Sequence, residues 1–393
     1  MKRSVLSFIL LFCFLIMLCC NFSNNFYVFA SGKITEDTYT AKSLFLMDYN
    51  TNQILYEKNS LDKIPVASIV KLMTICLTCE EIDSGKINID EKVIASEYAS
   101  SMGGSQVFIE SGGEYSIGDL LKSTIVSSAN DASVALAEKI AGSENNFVKL
   151  MNKKALELGM KNTNYVNCTG LPASNQFSSA KDTAILLKEV FKYDTFHNYS
   201  KIWMDTLKHP KGRETELVNT NKLIRYYEGC DGGKTGSTNE AGYCLATTAK
   251  RGDMRLIAVV LGAENGKLRF AETSKLLNFG FNNFENKLIV SKDEILSSEL
   301  KIQNSRQLRI NFTPNKSLYV LSKKMQEDNV STKVVIDKNV KAPIKVGDKV
   351  GIIYLIKNGE VIAQTELLSS ENVVKTNLYD DVVKIVEIWN IKG

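Results

Sequence analysis

The period of the apolar positions changes several times along the chain, and each change marks a different kind of element. After Lys2 and Arg3 an apolar run extends from Val5 to Cys20 with only Ser7 interrupting it, and a polar stretch then leads to Val28-Phe29-Ala30 before Ser31-Gly32. A basic start, an apolar core of this length and a small residue at its end read as a secretory signal, residues 1–30, cleaved after Ala30. Strands follow. Ser43 to Met47 and Gln53 to Tyr56 flank Asn50-Thr51-Asn52, which predicts a strand pair around a turn. From about Val66 to Phe191 the period becomes helical, with Leu120, Leu121 and Ile125, then Val134, Leu136, Ala137 and Ile140, at three-and-four spacing. Strand signals return at Gly242 to Ala249 and Leu256 to Leu261, joined through Arg251-Gly252-Asp253. A helix from about Leu268 is expected to close with Gly280 just past its end. Strands on both sides of a helical middle imply one sheet whose outer pieces are distant in sequence.

Beyond Phe284 the runs are short and alternating: Leu308 to Phe312, Tyr319 to Leu321, Val334 to Ile336. Gly351 to Ile356 and Val361 to Leu367 enclose Asn358-Gly359, the pair favoured in type I′ hairpin turns. These predict a separate β-rich domain over residues 285–375. In residues 376–393, Leu378, Val382, Ile385, Val386 and Trp389 fall on one helical face. The tail fits a helix lying on a membrane surface or one docked against the β domain.

At 393 residues, 44% hydrophobic and 23% charged, the chain can bury a sizeable core and has room for two or three domains. Removing residues 1–30, which hold Lys2 and Arg3 and no acid, leaves 46 basic residues against 44 acidic ones. That balance argues against a nucleic-acid partner. Outside the leader the cysteines are Cys76, Cys79, Cys168, Cys230 and Cys244, an odd number. The Cys76/Cys79 pair sits in an apolar helical run, so neither a disulfide framework nor a metal site is expected.

The chemistry narrows by exclusion. There are two histidines, His197 and His209, and no GxSxG or HExxH, which leaves little for a Ser-His-Asp hydrolase or a zinc peptidase. A serine can instead be activated by a lysine one helical turn away, because residues three apart share a face. Ser68-Ile69-Val70-Lys71 offers this arrangement. The spacing alone is weak, since Ser60/Lys63, Ser178/Lys181 and Ser298/Lys301 repeat it. What distinguishes Ser68 is the order SxxK, then Ser128-Ala129-Asn130 ahead of a helix, then Lys234-Thr235-Gly236 opening a strand, which marks penicillin-binding proteins and serine β-lactamases.

PVASIVKLMT, IVSSANDASVALAEKIAGS, FVKLMNKKALELGMKNTNYVNCTGL, GCDGGKTGSTNEAGYCLATTAKRGDMRLIAVVLGA and KLRFAETSKLLNFGF together resemble the serine D-alanyl-D-alanine carboxypeptidases, the low-molecular-weight penicillin-binding proteins, over Ala41 to Phe284. The resemblance implies an α/β fold: a β-lactamase/transpeptidase-like catalytic domain, a sheet with a helical subdomain, over residues 31–284, followed by a small all-β domain. It implies Ser68 as nucleophile and Lys71 as its base. Ser128 would relay a proton to the leaving D-Ala, and Asn130 would hold the peptide amide and the Lys71 side chain. The N–H groups of Ser68 and Ser237 would form the oxyanion hole, and Lys234, Thr235, Gly236, Ser237 and Arg269 would bind substrate, with the cations on its terminal carboxylate. Lysine titrates near ~10.4, so Lys71 must be lowered toward ~7 to 8 by burial and by a neighbouring positive charge, which Lys234 supplies.

The expected partners are peptidoglycan stem peptides ending in D-Ala-D-Ala and β-lactams as covalent inhibitors, with no cofactor. The expected location is the outer face of the bacterial cytoplasmic membrane and the wall. The chain departs from the family at Lys181 and near Thr220, where arginine is frequent, and at Ser237. Glu214 to Asn219 superficially matches the ExELN element of β-lactamases. Glu216 lies only 18 residues before Lys234, too near that strand for an independent loop.

Overall fold

The structure is a computed structural model that describes residues 39–376, apart from 300, 301, 306, 308 and 338, together with Val382. The expected signal segment lies outside the described residues, as does the amphipathic tail apart from Thr376 and Val382.

Five strands form one antiparallel sheet: β1 (Ser43–Asp48), β2 (Ile54–Lys58), β7 (Cys230–Thr238), β8 (Gly242–Arg251) and β9 (Met254–Ala263), in the order β2-β1-β9-β8-β7. The N-terminal pair therefore joins a C-terminal meander, with Phe45 opposite Val259, as strands at both ends of a helical middle require. Residues on alternate sides of a strand face opposite layers. Phe45, Met47, Ile257, Val259 and Leu261 join the core of the helical region, while Leu46 and Leu256 meet the long last helix, α9 (Gly266–Asn283).

The helical region holds α1 (Lys71–Asp83), α2 (Glu97–Ser100), α3 (Ile117–Val126), α4 (Asn130–Ala141), α5 (Glu144–Glu157), α6 (Ala180–Val190) and α7 (Asp194–Ser200), with α8 (Leu223–Tyr226) just before β7. Two small antiparallel pairs, β3 (Lys92–Ile94) with β4 (Glu114–Ser116) and β5 (Met204–Lys208) with β6 (Glu214–Val218), border it. Serines start several of these helices. Ser116, Ser143 and Ser179 each accept the N–H of the residue three positions on, capping α3, α5 and α6. Every residue of α1 from Lys71 to Cys79 is buried, so this helix runs through the core and not over it.

The last helix corrects the sequence reading. Gly280 does not end it; α9 continues to Asn283. A Cβ at Gly280 would lie 2.5 Å from Leu256 Cδ1, so the glycine lets the helix axis approach the sheet. The segment carrying Lys234 differs too. The strand opens at Cys230, four residues earlier than expected, with Gly232 paired to Thr248.

The C-terminal part is all β. A sheet ordered β11-β12-β16-β15-β14 comprises β11 (Leu296–Glu299), β12 (Arg309–Pro314), β14 (Val330–Ile336), β15 (Lys349–Lys357) and β16 (Glu360–Ser369), and β10 (Phe284–Val290) pairs with β13 (Leu318–Lys323). Its core gathers Ile310, Phe312, Val320, Ile353, Leu355 and Leu367. Asn358 and Gly359 have φ of 52° and 88°, the two positive values a type I′ turn needs. Asn286 in β10 donates to the buried Asp48 carboxylate at the end of β1 (3.0 Å). Among the described residues the five cysteines are free and buried, and no helix is long and apolar enough to cross a membrane.

Candidate active site

Ser68 lies in a 3-10 turn, Ala67–Val70, that runs directly into α1, whose first residue is Lys71. The turn is buried except at the half-exposed Ser68. Two glycines let other backbone close on it. A Cβ at Gly236 would stand 2.7 Å from Val66 O and 2.9 Å from Ser68 N; one at Gly170 would stand 2.1 Å from Ala67 O. Strand β7 and the Asn167–Gly170 loop are thus in backbone contact with the residue meant to react.

The lysine Nζ donates to Ser68 Oγ (3.1 Å) and to the carbonyl of Thr169 (2.5 Å). Lys71 has no exposed surface, and burial lowers its ammonium from the usual lysine range to about 7. That displacement disfavours the charged form by about 5 kcal/mol. The negative charge of Asp131 opposes the shift without reversing it. Desolvation, the first of the two expected causes, is what depresses Lys71; the charge of Lys234, the second, is not among the causes. The influence runs the other way: burial first, then the charges of Lys71 and Arg269, push Lys234 well below the ordinary lysine value.

Ser128 sits at φ +62° in the turn between α3 and α4, and its hydroxyl accepts from Lys234 Nζ (2.7 Å). The Lys234 to Ser128 bond thus joins the second and third motifs, and the backbone approach at Gly236 brings the third against Ser68 of the first. Asn130 does not donate to Lys71. Its Nδ2 donates to Gly103 O (2.6 Å) and its backbone N–H to Ser105 O (2.7 Å). A carbonyl can only accept, so the Gly103 oxygen fixes which end of the amide faces it. The buried Oδ1 has no partner among the described residues, which leaves an acceptor for the site.

The loop that orients Asn130 is itself anchored. Asp131, fully buried, accepts N–H bonds from Val107 (3.1 Å), Ile109 (3.0 Å) and Ala132 (2.9 Å). Gly104, at φ +78°, passes so close that a Cβ would lie 2.8 Å from Asn130 Nδ2.

On the far side of β7, the hydroxyls of Thr235 and Thr220 are 2.8 Å apart, and Ser237 is exposed opposite Tyr243 of β8. Arg269 lies in the first turn of α9, inside the helix. Its Nη1 donates to Gly236 O (3.3 Å) and weakly to Cys244 O (3.5 Å), while the guanidinium lies over Phe270 and near Tyr243. No acid pairs with it in the described structure, and burial holds it below the usual arginine value. Lys234, Thr235 and Arg269 thus frame an uncompensated cationic end of the site.

Sequence reasoning missed Thr169, because a backbone carbonyl has no side-chain signature, and missed the Asp131 clamp, whose ligands are all N–H groups. His209 is buried between Tyr115 (2.8 Å) and Thr215 (2.9 Å) and takes a packing role. Glu216 is exposed on β6, in an outer hairpin.

A family profile described as D-alanyl-D-alanine carboxypeptidase matches residues 31–265, and one described as penicillin-binding protein 5, C-terminal domain, matches residues 284–375. The chain is 41% identical to the D-alanyl-D-alanine carboxypeptidase DacF of Bacillus subtilis over 360 residues, 91% of this chain and 92% of that one. It is 33% identical to the D-alanyl-D-alanine carboxypeptidase DacC of Escherichia coli, covering 90% and 89% of the two chains. Among solved structures it is similar to penicillin binding protein 5 of Haemophilus influenzae (32% identity, TM-score 0.70, covering 87% of this chain and 100% of that one). It is similar also to a peptidoglycan synthesis regulatory factor of Streptococcus pneumoniae (29% identity, TM-score 0.71, covering 86% and 100%).

Proposed function

Since the chain belongs to the D-alanyl-D-alanine carboxypeptidase family, we propose that it removes the terminal D-Ala from peptidoglycan stem peptides through an acyl-enzyme on Ser68. The observation that carries this is the Lys71 Nζ to Ser68 Oγ contact of 3.1 Å, made by a lysine that burial brings to about 7. Near neutral pH a substantial share of such lysines are unprotonated and can take the serine proton. The Ser68 Oγ to carbonyl carbon bond forms and the C–N bond to D-Ala breaks. The leaving amine collects its proton by way of Ser128, which Lys234 holds by a hydrogen bond. Water then cleaves the ester and Ser68 regains its proton.

The N–H groups of Ser68 and Ser237 face the developing oxyanion in this scheme, brought together by the close approach at Gly236. The unpartnered Oδ1 of Asn130 accepts from the peptide chain or from Lys71. The substrate carboxylate lies among Lys234, Thr235 and Arg269 and supplies the negative charge that this end lacks. Its arrival favours the charged form of Lys234 and so works against the burial that lowers this lysine.

The basic start and apolar run of residues 1–30 support work outside the cytoplasmic membrane, on the wall, with β-lactams as covalent inhibitors. For residues 376–393 the stripe of Leu378, Val382, Ile385, Val386 and Trp389 supports contact with the membrane surface.

Mass spectrometry tests the reaction. Protein mixed with benzylpenicillin gains one covalent adduct, lost in Ser68→Ala, and a peptide ending in D-Ala-D-Ala loses one D-Ala. Arg269→Ala loses about ten- to a hundredfold in kcat/KM on that peptide and much less on its C-terminal amide. An adduct on another serine, or equal losses on acid and amide, would overturn these assignments.

A further inference from the structure

A groove of about 760 Å³ opens beside the cationic end of the site. Leu223, Tyr226, Tyr243 and Phe270 form its apolar lining, Gly266 leaves part of it open, and Arg269 is shared with the site itself. It is continuous with the residues framing the carboxylate in three ways. Tyr243 is the cross-strand partner of Ser237. The Arg269 guanidinium reaches Gly236 O. The groove residue Lys222 follows by two positions Thr220, whose hydroxyl meets that of Thr235.

We propose that this groove receives the side chain of the substrate's C-terminal D-residue, and that the enzyme accepts stem peptides ending in D-Ala-D-X with X large and apolar as well as D-Ala. This rests on the carboxypeptidase reading above. A carboxypeptidase substrate ends at the carboxylate, so the chain itself does not continue into the groove. The group attached to the same Cα as that carboxylate is the part of the substrate that reaches it. A methyl group leaves most of such a volume empty, whereas a phenyl or isobutyl group covers apolar wall that is otherwise wet. The only charges on the lining are Lys222, Lys267 and Arg269, with no acid among the lining residues. A cationic X of similar length is therefore disfavoured, which separates a charge-bearing groove from mere open space.

Gly266 provides the test. A Cβ there would lie 3.6 Å from the Tyr243 ring, ordinary contact, and its φ is outside the left-handed region, so a larger side chain enters the groove without backbone strain. Release of X from peptides ending in D-Ala-D-Ala, D-Ala-D-Leu, D-Ala-D-Phe and D-Ala-D-Lys is measured on wild type and Gly266→Leu. For the wild type, kcat/KM for D-Phe and D-Leu is expected within about threefold of D-Ala or above it, and for D-Lys at least tenfold lower. A site sized for a methyl group would instead reject D-Phe by more than about 100-fold. In Gly266→Leu the D-Phe to D-Ala ratio is expected to fall at least tenfold, and the ratio is independent of how much of the variant folds. A wild-type D-Phe rate 100-fold below D-Ala, or an unchanged ratio in the variant, would overturn the proposal. Absence of release from all four peptides would overturn the carboxypeptidase reading and this inference with it.

Discussion

Replacing Gly170 by alanine puts the backbone of the Asn167–Gly170 loop in conflict with the backbone of the nucleophile turn. The added Cβ would lie 2.1 Å from Ala67 O, 2.5 Å from Ala67 C and 2.8 Å from Ser68 N. No side-chain rotation relieves contacts with main-chain atoms. Cβ contacts below 3.0 Å essentially do not occur, so loop and turn must separate by about 0.9 Å. The φ of +81° adds about 1–2 kcal/mol against any residue with a Cβ. The separation acts on both halves of the chemistry, because Ser68 is on one side and Thr169, whose carbonyl holds Lys71 Nζ, is on the other. A displacement near 1 Å in positioned groups costs roughly 100-fold in rate, or about 2.7 kcal/mol of barrier. Gly170→Ala is therefore expected to acylate with benzylpenicillin about 100-fold more slowly, read by mass spectrometry of the adduct against time, with thermal unfolding followed in parallel. Acylation at the wild-type rate would refute the reasoning. So would a large fall in Tm with an unchanged rate, since the loop would then serve stability alone.

Two further outcomes follow from the same geometry. Lys71 acts as a base only when unprotonated, so the second-order rate of benzylpenicillin acylation should rise with pH through about 7 and level off above it; a flat profile from pH 5 to 9 would remove Lys71 from the base role. Asp131→Asn should lose about 2 kcal/mol in chemical denaturation, because an amide N–H₂ then faces N–H groups, and should move the acidic limb of that profile to lower pH by deleting a charge that raises Lys71; an unmoved limb would mean that Asp131 does not act on Lys71.

What could be read from the sequence was what side chains advertise. Ser68, Lys71, Ser128, Asn130 and Lys234 are picked out by the order of three motifs along the chain, since the serine-to-lysine spacing alone recurs at Ser60/Lys63 and Ser178/Lys181. The bonds that arrange them go largely to backbone: Thr169 O, Gly103 O and the N–H groups of Val107 and Ile109. Residue type does not encode those. The strand pair at Ser43 and the Asn358-Gly359 hairpin were legible because their alternation and turn chemistry are local. The start of β7 was not, since Asp231-Gly232-Gly233 has poor strand propensity and is held by pairing with β8. Gly232 has a tertiary reason as well: a Cβ there would lie 2.6 Å from Phe191 Cζ. Gly280 misled in the same way, by resembling a helix stop while serving a close helix-to-sheet contact.

The five buried cysteines give the molecule a set of internal clocks. Burial pushes the thiols of Cys230 and Cys244 up to about 11, that of Cys76 to about 12, and those of Cys79 and Cys168 upward as well. Each is thus both protonated and out of reach, and an alkylating reagent modifies it only when the surrounding structure opens. The sites are spread over distinct parts of the fold: Cys76 and Cys79 in the central helix, Cys230 and Cys244 in the strands of the sheet, and Cys168 next to the carbonyl that holds Lys71. The order in which the thiols become labelled is the order in which those parts come apart, and Cys168 times the opening of the catalytic loop without a probe having to be introduced.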